Sequence, residues 1–169
     1  MTNETKTSDF DTWFAGSKVV DHAGQPKVMY HRTDVDFDTF DPSFGDLGSH
    51  FGTSEQTNNL RDGWFAIGER TLAVYLSIKN PLRLYDDGHF SSEYVAPQLA
   101  EKGMIDAATS QRIVDMSNGS LNRSAAEEEI RSIITQAGYD GVVYENETEG
   151  VGDSWIALNS TQIKYAIGI

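Results

Sequence analysis

Four short segments of the chain carry side chains whose types and spacing could do chemistry. The first, 30–33 (Tyr-His-Arg-Thr), ends an apolar stretch. A histidine there could hydrogen-bond a ribose hydroxyl, and the next backbone groups could pair with a carboxamide. The second, 48–53 (Gly-Ser-His-Phe-Gly-Thr), opens a predicted helix. Its small residues would let a ligand approach the backbone, its rings could sandwich a flat heterocycle, and a helix N-terminus favours phosphate.

The other two segments lie close together near the C-terminal end. Residues 138–143 (Gly-Tyr-Asp-Gly-Val-Val) combine a helix stop, a turn and a strand, which the fold alone explains. They are followed by a group of acids, Glu145, Glu147, Glu149 and Asp153. A carboxylate at a strand end beside a cleft stabilises an oxocarbenium-like centre. Surface acids are more often simply solvated, so both interpretations stay open.

Several catalytic classes are excluded by absent residues or motifs. The chain has no cysteine, which removes disulfides, thiolate zinc sites and cysteine nucleophiles. Its four histidines show no HxH or HExxH spacing, so we expect no metal site. GxSxG, Walker and GxGxxG motifs are also missing, which argues against serine hydrolases and nucleotide-binding folds of those types.

The composition indicates one acidic globular domain. The chain has 169 residues, 38% of them hydrophobic, and a formal charge of −13. This charge repels nucleic acid and anionic lipid, so we expect no direct nucleic-acid or membrane partner and favour a basic protein partner. The sequence shows no signal peptide and no apolar run near the 20 or so residues of a membrane span, which predicts a cytoplasmic protein, the host's cytoplasm if a phage encodes it. A monomer is the default expectation.

Hydrophobic periodicity predicts an α+β fold with a mostly antiparallel sheet and helices in the middle third. Residues 1–8 are expected to form a flexible tail, and 9–169 a single domain. We expect a front hairpin from Val19-Val20 and 27–31, and Phe37 and Phe40 to plug the core. The predicted helices cover 54–62, 92–102, 107–117 and 124–137. Thr53 or Ser54, with Gln56 at the reciprocal position, is the predicted cap of the first helix, and Asp106 that of the third. The last helix is predicted to begin with a capping box of Ser124 and Glu127. The remaining strands are predicted near 72–78, 82–84, 142–144, 155–158 and 163–169.

Taken in order, these segments resemble the ADP-ribosyltransferase fold, in the group found in polyvalent proteins of phages and mobile elements and in phage anti-CRISPR ADP-ribosyltransferases. The resemblance runs through VVDHAGQPKVMYHRT, DLGSHFGTSEQ, VYLSIKNPLRL, GYDGVVYEN and WIALNSTQIK, covering nearly all of 19–165. It implies a split sheet, NAD as co-substrate, and transfer of ADP-ribose to a side chain of a host protein, with a role as a phage effector against host defence.

The resemblance also implies roles for individual residues. His31 matches the histidine that holds the nicotinamide-side ribose, and His50 falls where a stacking tyrosine is expected. Arg61 stands near a second expected aromatic and could reach a phosphate instead. The implied NAD-contacting residues are Tyr30, His31, Arg32, Thr33, Gly48, Ser49, His50, Phe51, Thr53 and Arg61.

The position of the catalytic acid stays open. Counting back from the closing strand places Ser154 at the acid position, with Asp153 next to it, whereas counting from the GYDG strand favours Glu145 to Glu147. Asp153 and Glu147 rank first, ahead of Glu145 and Glu149. A second arrangement of the same fold would use Arg32, Thr53-Ser54 and the Glu145-x-Glu147 pair. Two non-enzymatic alternatives are an acidic module that blocks a basic nucleic-acid-binding protein by mimicry, and a scaffold that has lost catalysis.

Overall fold

The computed structural model describes residues 8–62, 70–118 and 122–166, with side chains up to 59 in the first range. The predicted tail therefore lies outside the described residues except for Ser8. The Ser8 side chain accepts a hydrogen bond from the backbone N–H of Asp11 and caps the first helix.

Within these ranges the chain forms seven strands and five helices. The helices are α1 (Asp9–Phe14), α2 (Ser54–Asp62), α3 (Ser92–Glu101), α4 (Ala107–Asn118) and α5 (Arg123–Gln136). The strands are β1 (Met29–Thr33), β2 (Ser49–Phe51), β3 (Arg70–Leu76), β4 (Pro81–Arg83), β5 (Gly141–Glu145), β6 (Asp153–Ala157) and β7 (Ile163–Tyr165).

The strands divide between two sheets. One has the order β1-β3-β7 and the other β2-β6-β5-β4. Every pairing is antiparallel except β4 with β5, so the predicted mostly antiparallel α+β fold is confirmed. The sheets meet at one point, where Tyr30 and Gly52 exchange two backbone hydrogen bonds of 2.8 and 2.9 Å.

The predicted front hairpin is confirmed only next to its turn. The N–H of Asp21 donates to the carbonyl of Gln25 at 2.9 Å and that of Lys27 to the carbonyl of Val19 at 3.1 Å, beside an isolated bridge between Val20 and Pro26. The rest of the predicted second strand pairs with β3, with Met29 opposite Val74, and the Met29 side chain is buried there.

Two buried clusters make a three-layer structure. One joins the helices α3, α4 and α5 to the outer face of the four-stranded sheet, through residues such as Leu99, Ile130 and Ile156. The other fills the space between the two sheets, with Met29 and Val74 facing Trp155. Phe40 is buried in that second cluster with Phe37 beside it, as their position in an aperiodic loop predicts.

The capping residues in the sequence predicted the starts of two helices and failed at a third. Thr53 and Gln56 form the predicted reciprocal cap of α2, with Oγ1 and Oε1 accepting from backbone N–H groups at 3.2 and 2.7 Å. Asp106 caps α4 through the N–H of Thr109. The predicted capping box of α5 is wrong: the helix begins after Asn122, and Glu127 turns inward to other partners.

Candidate active site

A cleft of about 210 Å³ opens where the two sheets separate. We call it the sheet cleft. β1 and β2 form one side, the N-terminal part of α2 the floor, and the β5–β6 connection the other side. Its lining residues are Tyr30, His31, Arg32, His50, Phe51, Gly52, Gln56, Thr57, Tyr144, Asn146, Glu149 and Ser154.

His31 is held in one orientation by its neighbours. Its Nδ1 lies 2.7 Å from the carbonyl oxygen of His50. A carbonyl can only accept, so Nδ1 carries the proton, and Nε2 of the neutral ring is left as a hydrogen-bond acceptor. Burial lowers the pKa of His31, which keeps the ring neutral at pH 7. A fixed neutral imidazole can accept a hydrogen bond from a hydroxyl group at Nε2.

His50 is fixed by the same logic. Its Nε2 lies 2.7 Å from the carbonyl oxygen of Asp46, so this nitrogen donates. Burial lowers the pKa of His50 as well. The ring stands edge-on to Phe90, with the ring centres 5.6 Å apart. Each histidine therefore presents a defined tautomer at the cleft.

The opposite side of the cleft carries a carboxylate held by a loop. Residues 146–152, the acid loop, connect β5 to β6. The half-buried Glu149 accepts a hydrogen bond from the side-chain amide of Asn146, whose Oδ1 accepts from the Glu149 backbone N–H at 2.7 Å. The amide of Asn146 also lies 3.0 Å from Oγ of Ser154. Glu149 thus faces the cleft from a short, internally bonded loop.

Gln56 ties the acid loop to α2. Its side chain is 1% exposed, and its Nε2 donates to the carbonyls of Gly150 and Gly152, each at 3.0 Å. Its Oε1 accepts from the hydroxyl of Ser154 at 3.1 Å. One side chain therefore fixes the floor of the cleft to the loop that bears its carboxylate.

The other candidate acids lie away from the cleft lining. Asp153 makes a two-point ion pair with Arg83, with both N···O distances 3.0 Å. Glu145 is exposed and lies opposite Asp153 in the β5–β6 register. Glu147 is exposed, and its N–H bonds to Asp86. Among the four acids, only Glu149 is a lining residue of the sheet cleft.

The remaining predicted NAD contacts fall into four groups, of which Thr33, Gly48 and Ser49 line a second cavity. Tyr30, Arg32 and Phe51 line the sheet cleft with the two histidines. Arg32 also donates to the hydroxyl of Thr71. Thr53 caps α2 and is not a lining residue. The side chain of Arg61 lies outside the described residues.

A second cavity of about 310 Å³ lies beyond the histidines and shares both of them. Thr33, Gly48 and Ser49 line it. Gly48 serves packing there, because a Cβ at this position would lie 2.5 Å from the carbonyl oxygen of Ala157. The glycine at this position is therefore required because the backbone of β6 approaches it closely.

Sequence reasoning missed the site roles of Asn146 and Tyr144. The available signal was the N-x-x-E spacing of Asn146 and Glu149. An asparagine side chain often closes a turn by accepting from a backbone N–H a few residues later, as Asn146 does from Glu149. Tyr144 is a buried lining residue, and burial raises the pKa of its hydroxyl above the usual range. Nothing in its strand pattern distinguishes it from a core residue.

In the described part of the chain, no three His, Asp or Glu side chains are grouped so that they could hold a metal ion. Across the same residues, no helix combines the length and apolar character needed to cross a bilayer.

Comparison with known proteins identifies the family. The family model of the ADP-ribosyltransferase in polyvalent proteins matches residues 21–168. A crystal structure of an anti-CRISPR protein is similar over 82% of this chain and 94% of that chain, with 16% identity and a TM-score of 0.39, too low to support an argument. No curated protein matches. The match over nearly the whole chain, on a split sheet with a cleft between a histidine and a carboxylate, shows that this chain belongs to the ADP-ribosyltransferase family of polyvalent proteins.

Proposed function

We propose that the chain is an NAD-dependent mono-ADP-ribosyltransferase that modifies a side chain of another protein. The observation that carries this proposal is that His31 and Glu149, 118 residues apart in sequence numbering (149 − 31), line one cleft. The family uses NAD as its co-substrate, and the cleft offers the two groups that opening the nicotinamide glycosidic bond requires.

In the proposed reaction His31 orients the sugar. Nε2 of the neutral ring accepts from a hydroxyl of the nicotinamide-side ribose, while Nδ1 stays bonded to the carbonyl of His50. Both histidine rings are fixed before the substrate arrives, so little reorganisation is needed in the reaction.

Glu149 acts on the charge that develops. The bond between C1′ of the ribose and N1 of nicotinamide breaks, and its electron pair leaves with neutral nicotinamide. The sugar becomes cationic, and the Glu149 carboxylate stabilises it electrostatically. A nucleophilic side chain of the acceptor protein then attacks C1′ and releases its proton to solvent. Without an acceptor, water attacks and NAD is slowly hydrolysed.

The test compares two glutamates of the same acid loop. We expect Glu149→Gln to lower the rate of NAD hydrolysis by about 10²–10³, the effect of removing one electrostatic group from an active site. Glu147→Gln removes the same charge from an exposed position in the loop and should leave the rate within about twofold, since surface substitutions of this kind have little effect. Rates are followed by nicotinamide release, and NAD binding by the melting temperature.

The order of the candidate acids is decided by the same assay. Equal rates of NAD hydrolysis for the wild type and Glu149→Gln would reject Glu149 as the catalytic acid. Adding Asp153→Asn and Glu145→Gln then tests the two acids that the spacing analysis offered beside Glu147. An absence of NAD binding and hydrolysis in the wild type would reject the proposed activity itself.

The acceptor in this proposal is a host protein, and the biological role is that of a phage effector that counteracts host defence. The formal charge of −13 favours a basic or nucleic-acid-binding acceptor. Incubating a host-cell lysate with labelled NAD and the wild type or Glu149→Gln, followed by mass spectrometry, would identify the modified protein and side chain. Labelling that is equal in the two samples would contradict the proposal.

A binding function without catalysis is the second candidate. Ser154, a hydroxyl, stands where one alignment of the fold expects the acid, and the chain is strongly acidic. A scaffold that binds a basic partner by charge alone would lose affinity steeply with salt. It would keep that affinity in His31→Ala and Glu149→Gln, whereas a transferase with these substitutions would no longer modify its partner.

A further inference from the structure

Glu127 is a buried carboxylate that contacts two distant segments. It lies on α5 and is 6% exposed. Its Oε2 accepts from the backbone N–H of Leu47 at 3.1 Å, and its Oε1 from that of Ser92 at 2.6 Å. Burying a carboxylate is unfavourable unless hydrogen bonds compensate it, and here the two bonds join α5 to the start of α3 and to the loop before β2.

That loop has a backbone conformation that needs support. Leu47 has a φ of +66°, in the left-handed region that a leucine rarely adopts. Its side chain is fully buried among the helices. Arg123 of α5 pairs with the side chain of Asp46 at 2.8 Å. Helix α5 therefore holds both residues of this turn, one at its N–H and one at its carboxylate.

The same turn determines where the two imidazoles stand. The carbonyl of Asp46 accepts from Nε2 of His50, and the carbonyl of His50 accepts from Nδ1 of His31, both at 2.7 Å. Three hydrogen bonds therefore connect Glu127 to the ring of His31. Glu127 accepts from the N–H of Leu47, the Asp46 carbonyl of the same peptide group accepts from His50, and the His50 carbonyl accepts from His31.

We infer that Glu127 is a positioning residue, which holds the turn at 46–47 and through it the orientations and tautomers of His50 and His31. Its expected effect on NAD turnover rests on the proposed function, whereas its effect on the histidines does not. The helices in the middle of the chain, which contribute no lining residue to the sheet cleft, act on the cleft through this carboxylate.

The first test reads the histidine tautomers by ¹⁵N NMR of the side chains. In the wild type we expect His31 protonated on Nδ1 and His50 on Nε2. The N–H groups of Leu47 and Ser92 bond to different oxygens of Glu127, and in Glu127→Gln one of these oxygens becomes an NH2 group that cannot accept. We expect the turn to shift and His50 to populate both tautomers. Unchanged ¹⁵N shifts in Glu127→Gln would overturn the inference.

A matched control separates positioning from general stability. Glu129→Gln removes a carboxylate from the same helix, where Glu129 pairs with Arg112 of α4. In Glu129→Gln we expect the tautomers of His31 and His50 to be the same as in the wild type. Tautomer changes of equal size in both variants would also overturn the inference.

The kinetic readout uses the same two variants. We expect kcat/KM for NAD hydrolysis to fall by about 10- to 100-fold in Glu127→Gln, in line with the cost of displacing a substrate-orienting group by about 1 Å. Glu129→Gln should stay within about twofold. If the wild type does not hydrolyse NAD, the proposed function fails, but the tautomer comparison still decides the role of Glu127.

A measurement on the wild type covers the case in which Glu127→Gln does not fold. The amide hydrogen of Leu47 should exchange as slowly as those of the core strands, because a buried carboxylate holds it. Exchange of this amide at the rate of an exposed loop would overturn the inference without any substitution.

Discussion

The two sides of the sheet cleft are built differently. The histidine side belongs to strands β1 and β2, and both rings are half-buried and bonded to main-chain carbonyls. The acid side is the connection between β5 and β6, where Glu147, Thr148 and Val151 are exposed. Hydrogen bonds from side chains hold this loop, those of Gln56, Asn59, Asp86 and Asn146. The comparison indicates that main-chain carbonyls fix the two rings, whereas side-chain hydrogen bonds hold the loop that carries Glu149.

The largest effect should come from breaking the acid side at Gln56. Gln56→Ala removes two donors to loop carbonyls and an acceptor for Ser154. We expect the free energy of unfolding to fall by roughly 2–4 kcal/mol, from buried groups left without partners. NAD hydrolysis should fall as well, as in Glu149→Gln. Urea unfolding checks the stability, and a loss below about 0.5 kcal/mol would contradict the role of Gln56.

His31→Ala should break the histidine side with less damage to the fold. The ring contacts Phe40 and Phe51, so some packing is lost. We expect kcat/KM for NAD hydrolysis to fall by about 10- to 100-fold through misorientation of the sugar. Asparagine at this position, which can still accept a hydrogen bond, should retain more activity than alanine. Equal activity in the two variants would argue against a bond from the substrate to the ring.

The pH dependence of stability tests the histidine side of the cleft separately. The folded-state pKa of His50 is lowered, so the unfolded chain binds a proton more readily. The neutral ring therefore contributes stability above pH 6.5 that is lost as the pH falls below this value. Glu127, whose pKa is raised by burial, acts in the opposite direction, losing stability as the pH rises above 4.5.

The histidine contribution is isolated by comparing the wild type with His50→Gln between pH 5 and 8. The difference in melting temperature between the two should narrow as the pH falls, because glutamine does not titrate. A difference in melting temperature that stays constant over this pH range would show that the pKa of His50 is not lowered.

The smallest effect is expected at the tip of the acid loop. Val151 is 89% exposed. We expect Val151→Ser to change the free energy of unfolding by less than about 0.5 kcal/mol, as for most surface positions. A larger loss, measured by urea unfolding, would show that the exposed tip of the loop contributes to the stability of the fold.

Local signals predicted much of the fold. The caps at Thr53 and Asp106 and the helix stop at Gly138 act within a few residues, so their patterns are visible in the sequence. The second strand of the front hairpin and the α5 capping box were predicted with the wrong partners for a common reason. In each case a nearby pairing competed with a distant partner, β3 for β1, and Leu47 and Ser92 for Glu127.

By itself the sequence determined the class of the fold, the family, and the candidate histidines and acids, because composition, periodicity and ordered motifs are local properties. Only the tertiary structure showed which of the four acids lines the sheet cleft with His31 and which nitrogen of each ring carries the proton. Glu145, Glu147, Glu149 and Asp153 look alike within nine residues of sequence (145–153). The strand register, the Asn146 turn and the Arg83 ion pair direct Glu149 inward and hold Asp153 elsewhere.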